Sequence, residues 1–286
     1  MTKLSILMSV WNGERYLRTA VESLLAQTYQ EFELLIVNDA SSDRTSQILH
    51  ELSQQDPRVR IITNKTNLGL TRSLNRALQD IQSDYVARMD ADDIALPDRL
   101  EKQVAFLESH PDVGIVGTAY QFIGADNDVI GAHRRSSRIY GGQERHPPTQ
   151  DAQLRRVLIR YNPFLHSSVM IRKTLLDRVH GYDETYHRAQ DYDLWMRLSP
   201  LTRLANLPDV LMQKRFTTVM ISYAKEREQI RSALRVRWNA IRRRQYPWWC
   251  CVYLTKPFFA TILPASVVRF VRIHIFKQHM YVPSTE

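Results

Sequence analysis

An α/β fold with a mostly parallel central sheet, covered by helices on both faces, is what this 286-residue sequence predicts. Three observations carry that expectation. Short apolar runs alternate with stretches of helical period. The runs are apolar on consecutive residues, as strands buried on both faces must be. Turn and cap residues separate the segments. The runs are Leu4 to Val10, Phe32 to Val37, Val59 to Ile62, Tyr85 to Met89 and Val113 to Thr118. Between them, Tyr16, Ala20, Leu24 and Leu25 recur at helical spacing. A second helix opens at Ser42-Asp43 and runs to about Leu52, and a third covers Leu70 to Leu78. Pro97-Asp98 opens a fourth, with proline at its first position, where the missing N–H is not needed. This β-α-β-α order implies a parallel sheet with helices on its faces.

Beyond residue 120 the pattern loosens. Residues 124–166 carry Gly, Pro, Arg and His and read as containing loops. Ser167 to Ile171 is a strand. Asp191, Leu194, Trp195 and Leu198 share one face of a later helix that Pro200 stops. Trp195 is expected in the core, Asp193 toward solvent, and Gly181 in a turn.

The charge is unevenly placed. Residues 1–220 hold 27 Lys/Arg against 27 Asp/Glu, whereas residues 221–286 hold 12 against 3. The same last segment has 11 of the 27 aromatic residues and three of the five tryptophans. A neutral body thus carries a basic, aromatic extension. In it Ile230, Leu234, Trp238 and Ile241 fall on one stripe flanked by Arg231, Arg235 and Arg242, which predicts a basic amphipathic helix. Tyr246-Pro247-Trp248-Trp249 ends it. The longest uncharged run after that is 12 residues, 257–268, shorter than the roughly 20 needed to span a bilayer. The favoured reading of residues 221–286 is contact with an anionic membrane surface; ordinary packing onto the body is the alternative. Nucleic acid is not expected as a partner, because the body shows no recognition module. Cys250 and Cys251, adjacent, build neither a disulfide framework nor a four-ligand zinc site and read as apolar fillers, which implies a reducing compartment. Met1-Thr2-Lys3 leads straight into a strand without the apolar stretch of a leader peptide.

In an open parallel sheet the ligand lies beyond the carboxyl ends of the strands. There the sequence places Ser9, Trp11, Asn12 and Gly13, then Asn38 to Asp43, then Asp90-Ala91-Asp92-Asp93. Turn and cap roles account for Asn38, Ser41 and Ser42. They do not account for three carboxylates in four residues. Packed like charges need solvent or a cation. Mg²⁺ or Mn²⁺, held by one or two carboxylates and by substrate phosphates, is the plain solution, which points to a diphosphate. The sequence has no Gly-Lys-Ser/Thr and no G-x-G-x-x-G after a strand, against an ordinary kinase, ATPase or classical nicotinamide enzyme.

The chain resembles a family 2 glycosyltransferase of the GT-A fold, of the bacterial surface-polysaccharide type. The resemblance covers roughly residues 3–220 and rests on Ser5 to Gly13, Leu34 to Asp43, Asn67-Leu68-Gly69-Leu70, Met89-Asp90-Ala91-Asp92-Asp93 and Gln190-Asp191-Tyr192-Asp193-Leu194-Trp195. It implies a catalytic domain over 1–220, with a nucleotide-sugar half (1–120) and an acceptor-side half (121–220), followed by the extension 221–286. Ser9, Trp11 and Asn12 would line the nucleoside pocket, and Asp39 would accept a hydrogen bond from the base, typically uracil. Asp90, Ala91 and Asp92 form the D-x-D motif, with Asp92 the first candidate for the metal and Asp90 near the ribose or the metal. Asp93 would support the motif or cap a helix. Asp191 matches the general base. His166, Tyr182 and Gln190 are acceptor-side candidates. The family often has Glu where Gln190 stands, which leaves Asp191 as the base and changes its surroundings. Many relatives also carry Ala-Arg-Asn where this chain has Ser73-Leu74-Asn75; here Arg72 is the candidate for a donor phosphate, with a solvated helix position as its alternative.

The resemblance implies inverting, metal-dependent transfer from a nucleoside diphosphate sugar, a UDP-sugar, to a hydroxyl of a glycan or lipid-linked acceptor, by an enzyme peripheral at the cytoplasmic face of the membrane. Two other readings remain. An inactive scaffold of the same fold is opposed by the intact Asp39, Asp90, Asp92 and Asp191. A nucleotidyltransferase is opposed by Ser9 to Glu14, which is neither glycine-rich nor basic.

Overall fold

The computed structural model of the chain describes residues 2–130, 144–216 and 223–263. The expected strands form: β1 (Leu4–Val10), β2 (Phe32–Asn38), β3 (Val59–Thr63), β4 (Tyr85–Asp90) and β6 (Val113–Ile123), with a short β5 (Ile94–Ala95) between the last two. β7 (Glu144–Arg145), β8 (Met170–Arg172) and β9 (Arg203–Arg215) follow. The helices are α1 (Leu17–Leu25), α2 (Thr45–Gln55), α3 (Leu70–Leu78), α4 (Arg99–Ser109), α5 (Asp151–Leu158), α6 (Lys173–Arg178), α7 (Gln190–Leu198), α8 (Tyr223–Arg242) and α9 (Val252–Ile262).

The strands make one sheet in the order β3-β2-β1-β4-β8-β6-β9-β5, with β7 on β6. β1 to β4 are mutually parallel, β8 runs antiparallel between β4 and β6, and β9 is parallel to β6. This is a predominantly parallel mixed sheet of GT-A type. The register fixes the site: Ser9 lies opposite Val37 on one side and Asp90 on the other, so β1, β2 and β4 end at one level.

The apolar runs serve two faces. Leu4, Ile6, Met8 and Val10 of β1 pack with Leu17 and Leu24 of α1, Leu49 of α2 and Leu100 and Leu107 of α4. Leu7, with Leu35 and Val37 of β2, packs on the other face under Leu74 (α3), Leu158 (α5), Trp195 (α7) and Val236 (α8). Each such side chain is fully or nearly fully buried and contributes roughly 1.5–3 kcal/mol as an upper estimate. The second face draws helices from before and after residue 120, and the one sheet holds strands from both halves.

Several expectations are corrected. α4 begins at Arg99 with Asp98 as its N-cap, which leaves Pro97 outside the helix. The reason is that Leu96 donates its N–H to Leu211 of β9 and the Pro97 carbonyl accepts from Thr28, so the chain leaves β5 through a turn at 97–98 before the helix begins. α2 begins at Thr45 rather than at Ser42-Asp43. Asp43 instead bridges two loops, accepting the N–H of Glu14 and of Thr45 at 3.0 Å each. β8 starts only at Met170, because His166–Ser168 forms a single 3₁₀ turn in which Ser168 bonds back to Leu165. Asp193 does not face solvent: it is 5% exposed and pairs with Arg197 at 2.7 Å. Arg197 in turn donates to the carbonyls of Val179 and Gly181, which ties α7 to the turn that Gly181 supplies at φ +67°.

The stripe on α8 is also rotated. Val236, Ala240 and Ile241 are buried, whereas Trp238 is 51% exposed and Ile230 and Leu234 are only half-buried. Polar contacts to the body set the helix's rotation: Asn239 donates to the Tyr186 hydroxyl at 3.0 Å, and Arg235 stacks over the Tyr186 ring. β9 has no counterpart among the expected elements. Pro208 and Asp209 break its apolar pattern, and the structure absorbs them as an exposed interruption where the register against β6 shifts.

Candidate active site

The carboxyl ends of β1 and β4 border a cleft of about 320 Å³ lined by Ser9, Val10, Trp11, Asn12, Gly13, Arg15, Tyr16, Asp90, Ala91 and Asp92. Trp11 stands open in it at 59% exposure. Asn12 takes a left-handed conformation, φ 51°, which Asn tolerates better than most residues. Its N–H donates to Ser41 Oγ and its side-chain oxygen accepts from the Ser42 N–H, so it clasps the β1 and β2 loops together.

Asp39 is 2% exposed, and its carboxylate works within the protein. Oδ1 accepts from Asn64 Nδ2 at 2.7 Å and from the Leu68 N–H at 2.8 Å, and Oδ2 accepts from the Gly69 N–H at 2.9 Å. Gly69 sits at φ +82°, which a side chain would oppose. Asp39 therefore shapes the 64–69 loop, with about one of its roughly four acceptor sites left for a ligand. Asp39→Ala removes three hydrogen bonds at a buried position. The expected loss is about 2–4 kcal/mol of stability, read as a lower urea midpoint at unchanged slope, together with a raised KM for the sugar donor.

The acidic motif turns on charge balance. Asp90, Asp92 and Asp93 each bring a carboxylate oxygen within 4.8 Å of the others. Two cations meet them. The Arg88 guanidinium, 1% exposed, pairs with Asp90, and the Lys214 ammonium lies 3.3 Å from both Asp90 and Asp93. Burial acts to raise Asp90, but Arg88 and Lys214 prevail and hold it below the usual carboxylate range. Burial acts to lower Lys214, and Asp90, Asp93 and Asp92 outweigh it, so the ammonium stays charged. Asp93 is wholly buried and structural: it accepts from the Ser167 hydroxyl and from the Arg215 N–H. Arg215 then donates to the carbonyls of Asp92 and Gly124 and to Asn127 Oδ1, pinning the motif to the end of β6.

Asp92 is the exception. Its carboxylate has no hydrogen-bond or ion-pair partner among the described residues. Burial first, then Asp93 and Asp90, push it up to about 6. Three clustered carboxylates, of which Asp92 alone forms no ion pair or hydrogen bond among the described residues and faces the cleft, are a donor set of hard oxygens suited to a divalent ion.

The acceptor-side candidates gather around α7. Ala189, at φ 57°, turns the chain left-handed just before it. Gln190 and Asp191 are then the first two residues of the helix. Asp191 Oδ2 accepts from Asn162 Nδ2 at 2.7 Å. Burial raises the Asp191 pKa, against the lowering effects of the Tyr192 N–H and Asn162. His166 Nε2 lies 2.8 Å from the Tyr182 hydroxyl, and its ring meets Trp195 edge-on. Burial keeps His166 neutral and Tyr182 protonated. Tyr182 is 4% exposed, so it sits beneath the surface rather than along an open rim. The Arg88 charge acts on Asp90, His166, Tyr182 and Asp191 alike, so the guanidinium lies near enough to all four to be felt by them. Arg72 stands apart from this group, 57% exposed and 3.4 Å from Glu184.

Sequence reasoning missed Arg88, Asn162, Lys214 and Arg215. Arg88 leaves a signal, a lone charge inside the apolar run Tyr85 to Met89. Lys214 and Arg215 belong to the strand that Pro208 conceals.

A GT-A-type sheet whose carboxyl edge carries a D-x-D cluster beside a nucleoside-sized cleft defines a nucleotide-sugar transferase class of protein. The chain belongs to glycosyl transferase family 2, whose profile matches residues 5–179. It is 33% identical over 270 residues to EpsE of Bacillus subtilis, covering 93% of this chain and 91% of EpsE. It is 33% identical over 236 residues to the amylovoran biosynthesis glycosyltransferase AmsE of Erwinia amylovora, covering 81% and 83% of the two chains. Among solved structures, S. aureus TarS 1–349 in complex with UDP matches with a TM-score of 0.65 at 20% identity, over 98% of this chain and 76% of the TarS 1–349 chain. The mannosyltransferase PcManGT of Pyrobaculum calidifontis, in complex with GDP-Man and Mn²⁺, matches with a TM-score of 0.65 at 17% identity, over 98% of this chain and 81% of PcManGT. These two likenesses show the fold.

Proposed function

We propose that the chain transfers a sugar, with inversion, from a UDP-sugar to a hydroxyl of a glycan or lipid-linked acceptor in surface polysaccharide assembly. The observation that carries this reading is the division of labour among the carboxylates. Asp92, unpaired, opens on the donor cleft. Asp191, at the start of α7, is partly buried, raised in pKa and held by Asn162.

The roles follow from that division. Trp11 offers an open aromatic face for the nucleoside base. Asp92 and Asp90 would hold Mg²⁺ or Mn²⁺, whose charge offsets the negative charge that develops on the departing diphosphate. Asp191 accepts the acceptor hydroxyl proton as that oxygen bonds to C1 of the sugar and the C1–O bond to the diphosphate breaks. Neutral His166 and Tyr182, bonded to each other, are the acceptor-side candidates near Trp195. Proteins of similar fold support the donor class: TarS was solved with UDP and with UDP-GlcNAc, and PcManGT with GDP-Man and Mn²⁺. AmsE is named for amylovoran and WbnJ of Escherichia coli for O-antigen biosynthesis, which supports a polysaccharide acceptor.

The test is a panel of nucleotide sugars with lipid-linked glycan acceptors, read by released nucleoside diphosphate. Turnover with one UDP-sugar, lost on adding EDTA and restored by Mg²⁺ or Mn²⁺, is expected. Turnover with a GDP- or dTDP-sugar alone overturns the choice of UDP, and no release from any donor favours the inactive scaffold.

A further inference from the structure

The α8–α9 hairpin has an outward surface that the fold does not use. Val236, Ala240 and Ile241 of α8 are buried in the core cluster, and Tyr253 and Leu254 of α9 pack against it. Their neighbours point the other way. Trp238 is 51% exposed, and Trp248 and Trp249, in the 3₁₀ turn between the helices, are 81% and 54% exposed. On α9, Phe258, Phe259 and Ile262 are each more than half exposed. Seven of the twelve exposed large apolar side chains among the described residues fall between 238 and 262. Such a concentration of apolar surface marks an interaction site.

The charge around it says what the partner is. Between 223 and 263 the sequence has nine Lys or Arg against two Glu. Arg231, Trp238 and Arg242 lie on the side of α8 opposite Val236 and Ala240, and all three are exposed, as are Arg243 and Arg244. Val252, Phe259 and Ile262, seven and three residues apart, share one stripe of α9. A protein partner matched to this surface would need a strongly acidic groove wide enough for several indole and phenyl rings. A bilayer with acidic headgroups supplies both the negative charge and the apolar depth: indole rings favour the headgroup level, and each nearby Arg or Lys is drawn to anionic lipid. Among the described residues no helix is long and apolar enough to cross a membrane, so the hairpin would lie along the interface.

We infer that the α8–α9 hairpin docks the chain on an anionic lipid bilayer through Trp238, Trp248, Trp249 and the α9 stripe, with Arg231 and Arg242–Arg244 on the headgroups. The hairpin is fastened to the segment that leads into α7: Arg188 pairs with Glu228 at 3.4 Å, Arg235 reaches Thr185 at 3.3 Å and Asn239 reaches Tyr186. If the proposed function holds, docking therefore orients the segment before Asp191 with respect to lipid, as a lipid-linked acceptor requires. The docking itself stands on the surface alone and survives failure of that reading.

Removal of residues 221–286 is a poor test, because it strips Val236, Ala240 and Ile241 from the core. Flotation of the full chain with vesicles avoids this. The full chain is expected to float with phosphatidylcholine vesicles containing about 30% phosphatidylglycerol, to stay behind with pure phosphatidylcholine, and to be released by high salt. Two variants change only exposed side chains: Trp248→Ser/Trp249→Ser/Phe259→Ser, and Arg242→Glu/Arg243→Glu/Arg244→Glu. Each should lower the floated fraction at least about tenfold while circular dichroism and thermal midpoint stay at the wild-type values. Failure of the wild type to float, or flotation of either variant at the wild-type level, overturns the inference. So does a wild-type dimer in gel filtration that the serine variant converts to monomer without any flotation, which would make this surface a contact between two copies of the chain.

Discussion

Asp191→Asn is expected to lower kcat by about 10²–10⁴-fold while leaving the donor KM within a fewfold of wild type. The substitution keeps volume and keeps an oxygen for Asn162 Nδ2 to donate to, so α7 and its approach through Ala189 are undisturbed. What is lost is the capacity to take a proton. The pH profile supplies the sharper test. A base works ionised, and burial raises the Asp191 pKa. Activity should therefore fall as pH drops through a value above the ordinary carboxylate range, and this acidic limb should vanish in the variant's residual rate. Asn162→Ala removes a bond that favours the ionised form, which moves the limb to still higher pH. A variant with wild-type kcat, or an unchanged acidic limb in both variants, removes Asp191 from the role of base.

The proposed donor half of the site was legible because its signals are local. Strands apolar on consecutive residues, polar residues directly after them and three carboxylates in four positions are read within a few residues of one another. The two-faced burial of β1 and β2 bears out the strand reading directly. What stayed hidden depends on partners distant in sequence. Lys214 meets Asp90 across 124 residues, and Arg215 meets Asp93 across 122. Nothing at 214 announces this, since β9 is interrupted at Pro208 and Asp209. Asp193 looked like a solvent residue because its spacing places it off the apolar face; its partner Arg197 makes burial tolerable, a charge being buried only when paired. Period alone places Trp238 on the apolar stripe of α8 with Ile241. Period fixes which residues share a face, but contacts such as Asn239 to Tyr186 decide which face turns inward.

Asp92→Asn tests the charge balance of the cleft. Of the three clustered carboxylates, Asp90 and Asp93 are met by Arg88 and Lys214. Removing charge from Asp92 therefore removes the one carboxylate of the three that forms no ion pair among the described residues. The expected result is loss of about 10²-fold or more in Mn²⁺ affinity, with loss of most turnover and a fold stability equal to or above wild type. The stability sign follows from the pKa. Asp92 is raised to about 6, so the folded state disfavours its ionised form, and at neutral pH the neutral amide relieves that opposition. Metal binding should carry the matching pH dependence. The ion needs the ionised carboxylate, and below about 6 it competes with a proton. The apparent Mn²⁺ dissociation constant, read from the paramagnetic resonance of the free ion, should rise about tenfold per pH unit below that point and level off above it. In the variant the residual affinity should lose this slope. A Mn²⁺ affinity that is the same in both proteins would show that the cation is held elsewhere and that Asp92 serves only the fold. Equal loss of affinity in Asp92→Asn and Asp93→Asn would instead mean that the motif fails as a unit, because Asp93 anchors it through Ser167 and Arg215 without facing the cleft.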